Sequence, residues 1–243
     1  MLTLQKPLVI ALALCAGLTS SWSSAQDLQL NSTTIVGQTQ FRALSDDLGA
    51  ALSYKGKTPA ESLGITGFDV GISVTSTKLA NADRYGAALD NNNNLLLPTV
   101  SAQKGLPFGF DVGATYASAN GIKFVGGELR YALVEGGTLV PAVGLRGSMT
   151  RLTGVDELGL STRGVDLSVS KGFAFATPYA GIGRVWVNSA PKFASNTPLE
   201  TETFALNKYY VGVGLNMMLL NLNIEADRTG DATSYSAKLG IRF

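Results

Sequence analysis

The chain has 243 residues, with 19 basic and 18 acidic side chains and a formal net charge of +1. This balance provides no basic surface of the kind that binds nucleic acid. A single cysteine, Cys15, excludes an internal disulfide framework, and the absence of histidine removes the commonest general base and the commonest metal ligand.

The N-terminus has the three-part pattern of a cleavable signal peptide. Lys6 gives a short positive start, the apolar stretch Leu8–Leu18 follows, and a polar run ends on small residues at Ala25. The apolar stretch is too short to cross a bilayer as a helix. We therefore expect residues 1–25 to be removed on export. A lipid-modified Cys15 is the less favoured alternative, because the preceding leucine is not the small residue that such a signal uses.

The next segment, residues 26–63, contains one amphipathic stretch. Phe41, Leu44, Leu48 and Leu52 are at helical spacing, although the second half of this stretch also alternates as a strand would. We favour a short helix, because a strand here would make the number of strands counted below odd.

From residue 64 to residue 243 the sequence alternates between apolar and polar residues with period two. Each alternating segment covers about ten residues, and turn residues separate the segments, which is typical of transmembrane barrel strands. In the first segment, Phe68, Val70, Ile72 and Val74 alternate with small or polar residues. Ten such segments follow one another, and tight turns alternate with longer connections, of which 81–94 and 188–202 are the longest. The pattern predicts an all-β fold: a closed antiparallel transmembrane β-barrel of about ten strands, with both of its ends on the periplasmic side.

The side of each strand opposite the apolar residues carries charges of both signs. The predicted lumen-facing charges are Asp69, Asp111, Glu128, Arg130, Arg146, Asp166, Arg184, Lys208, Glu225, Asp227, Lys238 and Arg242. Eight strands are about filled by their own side chains, so a ten-stranded lumen with these residues is expected to hold mainly ion pairs and water. A narrow polar conduit is the functional alternative.

Such a polar lumen decides where the amphipathic helix is expected. Its apolar stripe must be buried, and a polar lumen offers little apolar surface to receive it. We therefore predict that residues 38–53 form a cap at the periplasmic end of the barrel, and the alternative is a plug inside the lumen.

The residues that could support catalysis or metal binding are few. Glu225 and Asp227 could form an acid–base pair, but two carboxylates on the polar face of a strand are more typical of structural ion pairs. Asp90 and Asn91–Asn94 could bind a cation through oxygen atoms, although asparagine runs are usually polar loops. We predict no enzymatic activity, no cofactor and no metal site.

The last strand resembles the C-terminal assembly signal of bacterial outer-membrane proteins. In that signal apolar residues occupy alternate positions before a terminal phenylalanine, as do Tyr235, Leu239, Ile241 and Phe243 here. Lys238 stands where the signal sometimes has glycine. The resemblance implies recognition by the barrel-assembly machinery and insertion into the outer membrane. The size is similar to that of the small OmpA-, OmpX- and OmpW-like barrels.

Two functions are consistent with these observations. The first is an integral outer-membrane barrel that is structural or porin-like, passing small solutes through a narrow lumen in contact with lipid and lipopolysaccharide. The second is a surface-recognition or adhesion protein that acts through its extracellular loops. A soluble carrier barrel is less favoured, because it would face its apolar residues inward and would need no terminal phenylalanine.

Overall fold

The computed structural model describes residues 37–85, 93–119, 122–137, 139–192 and 198–243. The predicted signal peptide and the first part of the segment that follows it lie outside these residues, as do Asp90, Asn91 and Asn92, which were considered above as cation ligands and not favoured. Within them the chain forms one N-terminal helix, α1 (Gln38–Ala51), a single helical turn, α2 (Ala82–Tyr85), and ten strands. The strands are β1 Phe68–Lys78, β2 Asn94–Gly105, β3 Phe110–Ala119, β4 Ile122–Val134, β5 Ala142–Thr153, β6 Leu158–Ser170, β7 Ala176–Pro191, β8 Glu202–Met217, β9 Leu220–Thr229 and β10 Ala232–Arg242.

The ten strands close into a barrel in which every strand pairs antiparallel with its neighbours in the sequence. Strands β1 and β10 complete the ring through a register that pairs Asp69 with Arg242 and Lys78 with Thr233. Closure leaves no free sheet edge, which is what a sheet needs in order to span lipid. The predicted ten-stranded antiparallel barrel with a short N-terminal helix is confirmed.

The barrel has two distinct ends. The turn end contains Phe68 and Phe243, whose backbones are hydrogen-bonded to each other, and the tight connections between successive strand pairs. The loop end contains the connections 79–93 and 192–201. Strand β1 leaves the turn end and strand β10 returns to it, as an even number of strands requires.

Side chains alternate between the two faces of the wall. In β1, Asp69, Ser73 and Thr75 are buried inside, whereas Phe68 and Val70 are exposed outside. The outer face is apolar around the whole circumference, with Val112, Leu129, Leu145, Val165, Ile182, Val211, Ile224 and Ile241 as examples. A barrel whose outer face is apolar has the surface that a bilayer requires.

Strand β7 is inverted relative to the sequence prediction. Tyr179, Val185 and Val187 lie inside the barrel, each less than 4% exposed, and Arg184 lies on the outer face. The inner positions between them are Gly181 and Gly183. A Cβ atom at Gly181 would lie 2.3 Å from the ring of Tyr210, and one at Gly183 would lie 2.0 Å from the carboxylate of Asp166. The lumen thus requires glycine at both positions, and this sets the facing of the strand.

Candidate functional site: the occupied lumen

Residues 38–63, here called the plug segment, run through the interior of the barrel. The helix α1 lies at the loop end, and residues 53–63 continue from it down the lumen to the turn end, where β1 begins. The prediction that residues 38–53 form a cap at the end where β1 begins and β10 ends is therefore wrong.

The helix is held at the loop end by an apolar cluster. Phe41, Leu44, Leu48 and Leu52 are each at most 2% exposed. They pack in one cluster with inward residues of the strands near the loop end, namely Leu97, Ala117, Phe124, Leu152, Leu158 and Leu160. Burial of each large apolar side chain contributes roughly 1.5–3 kcal/mol. The upper part of the lumen is thus apolar, which the alternation of the strands alone did not predict.

Polar contacts fix the helix against the wall and the loop. Ser45 donates a hydrogen bond to Ser189 of β7 at 2.8 Å, and both residues are fully buried. The carboxylate of Asp47 accepts hydrogen bonds from the backbone N–H of Ala80 at 3.1 Å and of Asn81 at 2.8 Å, and from the hydroxyl of Tyr85. Burial, together with this hydrogen bond to Asp47, raises the pKa of Tyr85, so that its hydroxyl stays protonated and continues to donate. The plug segment and the connection after β1 are consequently one hydrogen-bonded unit.

Two lysines of the plug segment insert among the polar residues of the lumen. The ammonium group of Lys55 lies 2.9 Å and 3.1 Å from the two carboxylate oxygens of Asp227. The ammonium group of Lys57 donates to the hydroxyl of Ser73 at 2.8 Å and to that of Thr99 at 3.3 Å. Each of these five side chains is less than 9% exposed. The lysines therefore replace solvent in the middle of the barrel.

The remainder of the plug segment is bound through backbone and hydroxyl groups. Arg130 donates to the hydroxyl of Thr58 at 2.7 Å and to the carbonyl of Pro59 at 3.0 Å. Lys208 donates to the carbonyl of Tyr54 at 2.7 Å. Nearer the turn end, the backbone N–H of Leu63 donates to Asp111 at 2.9 Å. Charged groups of the wall thus satisfy the backbone of a segment that has no secondary structure of its own.

Glycines on both sides allow the segment to pass close to the wall. A Cβ atom at Gly144 of β5 would lie 2.9 Å from the carbonyl oxygen of Ala60, and one at Gly126 of β4 would lie 3.1 Å from the ring of Tyr54. On the plug segment itself, a Cβ atom at Gly56 would lie 2.2 Å from the guanidinium of Arg146. The fit between segment and wall therefore depends on the absence of side chains at these positions.

The wall also carries ion pairs of its own. Asp69 pairs with Lys238 at 2.6 Å and with Arg242 at 3.1 Å, and Asp111 pairs with Arg130 at 2.6 Å. Arg146 lies 2.8 Å from Glu128 and 3.6 Å from Asp166, and Lys208 lies 3.3 Å from Asp166. Glu225 accepts a hydrogen bond from Tyr179 at 3.0 Å. These contacts form separate groups around the inner wall, of which Glu128, Arg146, Asp166 and Lys208 make the largest.

The structure places the predicted lumen-facing charges on the inner face, with the exception of Arg184. Asp69, Asp111, Glu128, Arg130, Arg146, Asp166, Lys208, Glu225, Asp227 and Lys238 are buried, and Arg242 is partly buried beside Asp69 at the turn end. With Arg184 outside, the wall contributes six acidic and five basic groups to the lumen. Lys55 and Lys57, which the sequence analysis did not single out, supply further positive charge. The sequence Lys-Gly-Lys was the signal from which these two lysines could have been recognised as a pair.

The residues of the predicted assembly signal lie at the outer face of β10 and at the C-terminus. Tyr235, Ile241 and Phe243 are between 50% and 67% exposed, and Leu239 is half-buried between its strand partners Ile72 and Leu222. The ring centroids of Phe243 and Phe68 are 5.6 Å apart. The last residue therefore takes part in closing the barrel.

Two features are absent from the part of the chain that the structure describes. Its helices include none that is both long enough and apolar enough to cross a membrane. No group of three or more Asp, Glu, His or Cys side chains in that part of the chain is arranged to hold a metal ion.

Comparisons with known proteins give similarities in structure alone. No protein-family model matches the chain, and no curated protein matches it significantly. The N-terminal β-barrel domain of OprF from Pseudomonas aeruginosa is 11% identical, with a TM-score of 0.36 over 72% of this chain and 97% of that one. The KdgM porin is 9% identical, with a TM-score of 0.39 over 72% and 99%. The translocator domain of the autotransporter NalP from Neisseria meningitidis is 11% identical, with a TM-score of 0.41 over 90% and 99%. At these values the similarities carry no argument about function.

Proposed function

We propose that this chain is an integral outer-membrane barrel that its own N-terminal segment holds closed, with a structural role and no enzymatic activity. The apolar outer face and the C-terminal apolar alternation support insertion into the outer membrane by the barrel-assembly machinery. In that membrane the turn end faces the periplasm and the loop end faces the cell exterior. The outer wall of the barrel then contacts lipid and lipopolysaccharide.

The observation that carries the proposal is the passage of the plug segment through the lumen. Lys55 and Lys57 occupy the polar middle of the barrel, α1 fills the apolar loop end, and Leu63 is bound to the wall near the turn end. A path for solutes would have to cross all three regions. An open passive pore is therefore disfavoured while the segment is in place.

Conductance tests this proposal directly. The full mature chain, refolded in planar bilayers, should show no stable single-channel current. A chain that begins at Gly64 should fold and conduct, because removal of the segment empties the lumen. Stable current from the full chain would contradict the proposal.

A disulfide test locates the helix independently of any truncation. The hydroxyls of Ser45 and Ser189 are 2.8 Å apart, so the pair Ser45→Cys and Ser189→Cys should oxidise to an internal disulfide. Ser45→Cys with Ser170→Cys is the matched control, because Ser170 lies inside the barrel at the turn end, where a cap would have placed the helix. Cross-linking of the control pair alone would show that the helix lies at the turn end and would contradict its placement at the loop end.

A recognition role is the second candidate, and the direction of the plug segment favours it. Gly37, the first described residue, precedes α1 at the loop end, on the side of the longest loops. An epitope tag placed directly after Gln26 should therefore be accessible to antibody on intact cells. Labelling that requires permeabilised outer membranes would place this end in the periplasm and remove the candidate.

A further inference from the structure

The outer wall carries a band of basic residues on four successive strands. Lys123 on β4, Arg151 on β5, Arg163 on β6 and Arg184 on β7 all point outward and are exposed. They lie between seven and eleven residues from the turn-end termini of their strands: Arg163 is seven from Ser170, and Lys123 is eleven from Val134. At ~3.3 Å per residue and a tilt of ~40°, this corresponds to heights of roughly 18–28 Å. The apolar band of such barrels is ~25 Å tall, so these cations lie in its outer third or just beyond it.

The register brings the central cations of the band together. Arg151 pairs with Ser161, and Arg163 is two residues further along the same face of β6. Diagonal neighbours of this kind are ~7–8 Å apart. Arg151, Arg163 and Lys192, which follows β7, line one groove of about 630 Å³ on the outer wall. The side chain of Lys192 reaches the groove across Gly159, where a Cβ atom would lie 3.1 Å from its Cε.

These groups lack acidic partners. Among the described residues, no carboxylate lies within 4.0 Å of Lys123, Arg151, Arg163 or Lys192, even though the loop between β5 and β6 carries two acidic residues. By contrast, Arg228 on β9 pairs with Asp231 at 3.3 Å. Cations at the edge of a bilayer are favourable where anionic head groups meet them. Anionic head groups are therefore the counterions available to this band.

The surface towards the turn end from this band is apolar. Val125 and Met149 line the groove itself, and Val165 is exposed two residues below Arg163. Trp186 pairs with Arg163 across β6 and β7 and is also exposed. A ligand with an anionic head group above acyl chains would fit both parts.

We propose that this groove binds a phosphorylated glycolipid of the outer leaflet, the lipid A part of lipopolysaccharide. The guanidinium groups of Arg151 and Arg163 and the ammonium group of Lys192 contact its phosphates, and its acyl chains lie along Met149 and Val125. Guanidinium groups suit phosphate because their planar donors bind it in bidentate fashion. The inference rests on the proposed orientation in the outer membrane.

The test measures lipid retained by the refolded, full mature chain. Protein is purified from phosphatidylcholine vesicles that contain either lipid A or phosphatidylglycerol, and bound lipid is counted by native mass spectrometry. The variant pair Arg151→Gln and Arg163→Gln should reduce retention of lipid A about tenfold, because two charge-assisted contacts are lost. The control Arg228→Gln, which removes one positive charge outside the groove, should retain lipid A as the parent does, and each single variant, Arg151→Gln or Arg163→Gln, should retain less than this control.

The outcomes separate this inference from the proposed function. Unchanged retention of lipid A in the double variant would overturn the inference, as would equal retention of phosphatidylglycerol by the parent. A heat-modifiable band on electrophoresis reports folding in every case. A parent barrel that folds but retains no lipid A would therefore contradict the lipid inference and leave the proposed closed barrel standing. If the double variant does not fold, Lys192→Gln, which lies beyond the end of β7, serves instead. This variant should retain less lipid A than the parent, and unchanged retention would equally overturn the inference.

Discussion

Replacement of Lys55 by methionine tests the contact that carries the closed-barrel proposal. Lys55 and Asp227 form a buried ion pair, with side chains 4% and 1% exposed and oxygen atoms at 2.9 Å and 3.1 Å. Removal of one partner from a buried pair leaves an uncompensated charge and costs about 3–5 kcal/mol. We expect Lys55→Met to lower the free energy of unfolding by that amount, measured by urea titration in lipid vesicles.

The same substitution should also act on conductance, because the plug segment can leave the lumen while the barrel stays closed by its strands. Channel openings should therefore appear in planar bilayers, where the parent is silent. Arg228→Met is the matched control, since its pair with Asp231 is 63% and 81% exposed. An exposed pair of this kind is worth about 0–1 kcal/mol.

A double-mutant cycle completes the test. Asp227→Asn removes the other charge and keeps an acceptor for the hydroxyl of Thr229, which lies 2.8 Å away. The variant with both substitutions should be more stable than the sum of the single effects predicts, because no lone charge is left buried. A cost for Lys55→Met no greater than that for Arg228→Met, or purely additive effects, would refute the proposed contact.

Three further predictions concern the membrane face, assembly and the loop. Val165→Arg, ~13 Å above the turn end, should cost about 2–4 kcal/mol of folding free energy in vesicles. Ser161→Arg, on the same face but nearer the loop end, should cost about 0–1 kcal/mol. Equal costs would contradict the assigned depth. Deletion of Phe243 should lower the outer-membrane level of heat-modifiable barrel, because its contacts with Phe68 close the ring, and a normal level would count against the assembly signal. Asp47→Asn should weaken the hydrogen bonds to Asn81 and Tyr85 by about 1.5–3 kcal/mol and speed proteolysis of the connection after β1; an unchanged rate would show that Asp47 does not order it.

The wall of the barrel was predictable because its information is local. In β1, Phe68 and Val70 lie outside and Asp69 and Ser73 inside, as their alternation in the sequence indicated. A period of two follows from strand geometry alone, so it can be read without knowledge of the partner strands. The number of strands and the alternation of tight and long connections followed in the same way.

Strand β7 shows where this local information ends. Arg184 was predicted to face the lumen, yet it lies outside, and the apolar Tyr179, Val185 and Val187 lie in the lumen. Glycines occupy the other inner positions, and a glycine does not indicate a face until its neighbours are known. Only the assembled barrel shows that Tyr210 and Asp166 fill the space beside Gly181 and Gly183 and so direct Arg184 outward.

The position of the plug segment is the larger contribution of the tertiary structure. The sequence by itself determined an amphipathic helix with the stripe Phe41, Leu44, Leu48 and Leu52, and the requirement that this stripe be buried. It did not determine the surface that buries it, because that surface combines one or two inward residues from each of five strands, among them Leu97 and Phe124. Such a surface exists only after the ring has closed, and its apolar character at the loop end is the physical reason why the helix lies inside the barrel.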